Sequence, residues 1–219
     1  MESYDAQLSP RASSSKRLPR VVREQQMLDA AVKVFSRRGF HAASMDEIAE
    51  VAGISKPMVY AYLGTKDELF LTCLQREATR LMEAVAAGVV PTARPDEQLW
   101  NGLRAFFAFV GAHRDGWQVL YRQARSEPPF AAELSAMRTR IVELVAGLLE
   151  GAWAQAEANR TAGADDFLAM AFAYVGAAES LADWLADHAE EDPEHTATRM
   201  MNFVWVGADA LLQGRVWRA

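Results

Sequence analysis

The run from Met45 to Tyr62 constrains the fold more than any other part of this chain. A segment Met45–Ala52, a corner Gly53-Ile54-Ser55 and a segment Lys56–Tyr62 follow one another without a gap. Each position has a physical reason. Ala49 is small enough for two helices to cross closely, Gly53 supplies the left-handed backbone of a tight turn, and Ile48, Ile54 and Val59 fill the shared core. Ser55 is expected to cap the second helix. Pro57 falls in its first turn, where a missing N–H breaks no helical bond. The pattern predicts a helix-turn-helix.

The flanks are also helical. Val21, Met27, Leu28, Ala31, Val34 and Phe35 recur at helical spacing up to Arg38, and Gly39 is the expected stop. Ser44 with Glu47, and Thr65 with Glu68, form S/T-x-x-E capping boxes that open a short and a long helix. Beyond Lys66 no strand pattern or internal repeat appears, and Pro and Gly divide the remainder into five or so further helices. Asp192 as N-cap with Pro193 after it is the clearest of these starts. The expectation is an all-α fold of about nine helices. Residues 1–19 would be a disordered tail, 20–66 a three-helix helix-turn-helix domain, and 67–219 a larger helical domain.

Composition narrows the classes. No apolar run is long enough for a membrane span, and the Ser-rich, basic start has no apolar segment behind it, so a cytoplasmic protein is expected. Cys73 is the only cysteine, which excludes an internal disulfide or a thiolate-rich metal site. His41, His113, His188 and His195 lack metal spacing, and no nucleophile, base and orienting group fall into a pattern. No catalysis and no cofactor are expected. Charge is uneven: residues 1–66 hold 10 Lys+Arg against 7 Asp+Glu, and residues 67–219 hold 13 against 22. The net values are +3 and −9, so a polyanion would be drawn to the first third alone.

Ser44 to Leu69, with Phe35 and Gly39-Phe40 upstream, resembles the DNA-binding domain of the TetR family of bacterial regulators. The likeness covers about residues 23–70 and departs at Leu63, where the family usually has Phe. Helical phase with Val59 inward turns Pro57, Met58, Tyr60 and Ala61 outward, with Lys56 at the exposed start, toward a major groove. The resemblance implies phosphate contacts from Tyr60, Tyr62 and Lys66, and a contribution from Ser44. Ser55 is counted with these DNA-contacting residues. Because Pro57, Met58 and Ala61 carry no hydrogen-bonding side chain, base readout is expected to rest on thymine methyls, Lys56 and groove shape. Arg11, Lys16, Arg17 and Arg20 are read as a solubilising tail rather than a minor-groove arm.

The family also implies a small-molecule inducer held in the larger domain. Trp100, Phe107, Trp117, Tyr121, Trp153 and Phe172 are the expected lining, suited to an apolar or aromatic molecule. The last two long helices, about Asp166–His188 and Pro193–Trp217, are expected to form a homodimer's four-helix bundle. Gly176, Ala177 and Ala178 would permit close approach there, and Phe203, Val204, Trp205, Leu211 and Leu212 would supply apolar area. The expected function is a ligand-responsive repressor released from a palindromic double-stranded DNA operator. The alternative is a helical ligand-binding or protein-interaction module without DNA function.

Overall fold

The computed structural model describes residues 19–155, 163–213 and 215, and residues 1–18 of the expected tail lie outside them. The described residues are helical. The elements are α1 (Arg20–Ala42), α2 (Met45–Ala52), α3 (Lys56–Leu63), α4 (Lys66–Gly88), α5 (Pro95–Ala112) and α6 (Arg114–Trp117). A π-helical segment (Gln118–Gln123) continues α6 into α7 (Ala124–Ser126), and α8 (Pro128–Gln155), α9 (Ala164–Asp187) and α10 (Pro193–Leu212) follow. With α6, the π segment and α7 running on as one rod, the architecture is the expected all-α one.

Local chemistry sets the ends. Gly39 has φ 75° and ψ 167°, so α1 breaks there and adds only one further turn to Ala42. Ser44 Oγ accepts from the Glu47 N–H at 3.1 Å and caps α2, but the reciprocal bond is missing because Glu47 pairs with Arg38 at 3.1 Å. At α4 the capping box is complete: the Thr65 hydroxyl accepts from the Glu68 N–H, and the Glu68 carboxylate accepts from the Thr65 N–H at 2.8 Å. Ser55 occupies the N-cap of α3, yet its side chain makes no capping bond. Its carbonyl alone receives Met58 and Val59. Asp192 caps α10 as expected, accepting from the Glu194 N–H at 3.2 Å.

One apolar interior runs from α1 to α10. The division expected at Lys66 falls on the first residue of α4, whose Leu69, Phe70, Cys73 and Leu74 are fully buried. Phe70 stacks edge-on to Phe35 and Phe40 of α1 at 5.0 and 5.2 Å, and meets Phe130 of α8 at 4.5 Å. Fully burying one such ring contributes about 2–3 kcal/mol. This aromatic knot ties the helix-turn-helix to α4 and α8. Tight packing transmits displacement rather than absorbing it. Among the described residues no helix is long and apolar enough to cross a membrane.

Candidate nucleic-acid interface and effector cluster

The corner forms as its residues dictate. Gly53 adopts φ 67° and ψ 32°, Ala49 and Ile48 are buried, and Val59 is fully buried beneath α3. That phase leaves Ser55, Lys56, Pro57, Tyr60 and Ala61 exposed along one ridge, with Tyr60 45% exposed. Met58 and Tyr62 are half-buried at its margin. Two arginines of α1 reach them: the Arg23 guanidinium lies 3.6 Å from Met58 Sδ, and Arg20 sits over the Tyr62 ring, 5.2 Å from its centroid.

The cations of the corner are engaged internally. Lys56 Nζ donates to Asp46 at 2.8 Å, a bond that raises the lysine's pKa, with the carboxylate's charge adding to the effect. Lys66, expected at a phosphate, is held within the chain by partners that the sequence did not indicate. Its ammonium donates to the carbonyls of Phe40, His41 and Ala43 at 2.9, 3.2 and 3.2 Å, and lies 4.7 Å from the Phe40 ring centroid. The carbonyls at the end of α1 have no helical donors, and a cation placed there both bonds them and meets the negative end of the dipole. No sequence pattern marked this role, because the partners lie more than twenty residues upstream.

In the larger domain the expected aromatic lining divides. Trp117 (2% exposed) stacks on Tyr121 at 4.7 Å and 12°, and meets Phe106 edge-on at 5.7 Å; Phe106 in turn meets the buried Phe107 at 5.0 Å. Phe106 was not among the expected residues. The Tyr121 hydroxyl donates to Glu179 of α9 at 3.0 Å, and Glu179 also accepts from Arg138 of α8. Burial, with the Glu179 charge behind it, pushes the Tyr121 phenol up to about 12. Trp117 Nε1 is buried without a hydrogen-bond partner among the described residues, as is Trp153 Nε1. Trp153 belongs elsewhere, against Phe167 at 5.8 Å. Phe172 is 46% exposed with Arg138 over its ring, so it does not line the Trp117 cluster; Trp100 is half-buried on the main core.

Two surface hollows are rimmed by charged side chains and hold none of these aromatics. One, of about 620 Å³, lies between α1 and α4 and is lined by Glu24, Asp29, Arg76 and Arg80 among others. The second, of about 530 Å³, continues from Arg76, Glu77 and Arg80 to His113 and Asp115. Among the described residues no group of acidic, His and Cys side chains has the geometry to hold a metal ion.

The π segment joins the aromatic cluster to the DNA-facing unit. Arg122 donates to Asp183 at 2.6 Å and to Asp187 at 2.5 Å, binding the segment to α9. On the other side Gln123 closes on Gly39 of α1, where an added Cβ would stand 3.2 Å from its Oε1.

Known proteins share this arrangement. Residues 27–73 match the family described as bacterial regulatory proteins, tetR family, and residues 95–207 match the tetracyclin repressor-like C-terminal domain. The transcriptional activator FasR of Mycolicibacterium smegmatis is 32% identical over 196 residues, which is 87% of this chain and 85% of FasR. A TetR-like transcriptional regulator from Rhodococcus sp. RHA1 is 48% identical and superposes with a TM-score of 0.76, covering 88% of this chain and 99% of that one. The fatty acid degradation regulator FadR from Bacillus halodurans shares the fold at 17% identity, with a TM-score of 0.72 over 87% of this chain and 96% of its own. With both halves of the chain matched and the reading ridge turned outward, this protein belongs to the TetR family and is a DNA-binding transcriptional regulator.

Proposed function

We propose that the protein acts as a homodimer on a palindromic operator, represses by occupying it, and is released by a small apolar or aromatic molecule bound in the larger domain. The observation that carries this reading is the exposed ridge of α3 set above a fully buried Val59. In this reading Pro57 and Ala61 meet base edges, Lys56 and Ser55 stand at the groove wall, and Tyr60, Tyr62 and Ser44 meet the backbone. Lys66 serves them indirectly, by holding the end of α1.

Dimerisation through α9 and α10 is supported by apolar side chains with no cover among the described residues. Leu168 and Phe172 on α9 are 39% and 46% exposed, and Phe203 and Val206 on α10 are 70% and 67% exposed. An added Cβ at Gly207 would meet nothing within 4 Å, which leaves room for a close helix approach. The face differs from the expected one in two respects. Val204 is 1% exposed and packs inward, and Gly176 looks toward Arg138, 3.8 Å from its would-be Cβ. The side chains of Leu211 and Leu212 lie outside the described residues.

The effector would enter the Trp117–Tyr121–Phe106 cluster, whose indole N–H offers an unanswered donor. Displacement of Tyr121 would move the π segment, which touches both α9 and the Gly39 end of α1. FasR is named an activator, and the same occupancy activates where an operator lies upstream of a promoter. Gel mobility with DNA flanking the protein's own gene, followed by transcription from that template, tests both readings. A complex that dissolves on adding a ligand and lowers transcript yield while present supports repression; a rise in transcript supports activation. Failure to shift any such duplex at low salt refutes the DNA reading.

A further inference from the structure

We propose that Arg20 and Arg23, in the first turn of α1, are phosphate-binding residues that anchor the protein on duplex DNA; the inference rests on the DNA-binding reading above. The reasoning begins with charge. Residues 44–66 carry Asp46, Glu47 and Glu50 against Lys56 and Lys66, so the corner is net −1. Of its two cations, Lys56 is held by Asp46 and Lys66 by three carbonyls of α1. A surface of that charge repels the polyanion it must grip, while most of the affinity for duplex DNA comes from neutralising phosphates. The missing charge must lie beside the ridge.

Arg20 and Arg23 meet that requirement. They lie three residues apart, hence on one side of α1. Each guanidinium is steadied by a residue on the margin of the reading surface: Arg20 over the Tyr62 ring, Arg23 against Met58 Sδ. Neither has a carboxylate partner among the described residues. Their neighbour Glu24 turns away to line the hollow shared with α4. A ring face and a thioether fix the direction of an arginine while taking almost none of its five donors, which leaves the planar fork free for phosphate oxygens. Nor does helix stability account for them. Cations in a first turn oppose the positive end of the helix dipole, and α1 has no acid there to compensate.

The test uses the full chain and a fluorescein-labelled random-sequence duplex of about 30 base pairs, with anisotropy followed over a KCl series. Random DNA suffices because phosphate anchoring is independent of sequence. Two phosphate contacts at about 0.9 each make the slope of log K against log salt shallower by about 1.8 per protomer in R20A/R23A. A fourfold rise in KCl therefore weakens the parent about twelvefold more than the variant for each protomer, or about 150-fold for the bound dimer. R20K/R23K is expected to keep the parent slope, since charge persists at both sites. K33A/R37A removes the same charge from another part of α1 and is expected to leave the slope unchanged. An unchanged slope in R20A/R23A overturns the proposal, as does an equal loss in K33A/R37A. A parent that binds no duplex at low salt overturns the DNA reading as well, which separates the two failures.

Discussion

Two glycines bracket the recognition helix, and the structure assigns them different costs on replacement by alanine. At Gly53 the backbone sits in the left-handed helical well, and an added Cβ meets nothing within 4 Å. The only cost of G53A is the left-handed conformation itself, about 1 kcal/mol. Gly64 has φ 70° and ψ −143°, outside that well, in a region almost confined to glycine. There the strain alone is about 2–3 kcal/mol. In addition, the new Cβ would lie 2.2 Å from Glu68 Oε2, so the carboxylate must leave the Thr65 N–H and hydroxyl that it now accepts from at 2.8 and 2.9 Å. G64A is therefore expected to destabilise by at least roughly twice as much as G53A. Urea unfolding of the parent and both variants at one temperature reads the difference. A second pair, E68A and G64A/E68A, isolates the clash, because without the carboxylate G64A costs only backbone strain. Equal losses for G53A and G64A would refute the reasoning, and a G64A cost unchanged by E68A would refute the steric part of it.

Removing the Glu77 carboxylate, 2% exposed and 2.7 Å from Arg76, is expected to cost about 3 kcal/mol in E77A, because Arg76 then keeps only Asp29 as an ionic partner. A melting curve placing the loss below about 1 kcal/mol would contradict that. Cys73 is fully buried, and burial pushes its thiol up to about 12. Its contribution to stability is thus complete below about pH 8.5, where the unfolded thiol begins to ionise, and is lost as pH rises toward 12. Iodoacetamide at pH 8.5 should label Cys73 only in denaturant, and equal labelling of native protein would show the burial to be wrong. F203E/V206E should leave a folded monomer by sedimentation, because both side chains are exposed within the chain; an intact dimer would move the interface off α10. W117F should alter the response to an effector, since it removes the unpaired donor together with part of the ring that stacks on Tyr121. A ligand titration indistinguishable from the parent would exclude that N–H from recognition.

What could be read from the residues alone was short in range. The glycine corner, the Ser44 and Thr65 caps, the stop at Gly39 and the phase that buries Val59 depend on backbone geometry and on hydrogen bonds spanning a few positions, so neighbouring side chains suffice to specify them. The outward ridge of α3 followed from that phase, and the family likeness from the order of those same residues. Tertiary packing decided everything whose partner lies far along the chain. Lys66 bonds carbonyls at the end of α1, Val204 turns inward, and Phe172 and Trp153 part from the Trp117 cluster. An apolar period says that a residue will be buried but not against what, and a charge count says that a lysine is present but not that carbonyls at a distant helix end will take it first. Those choices belong to the packed interior, where each group takes the partner that the whole fold brings within reach.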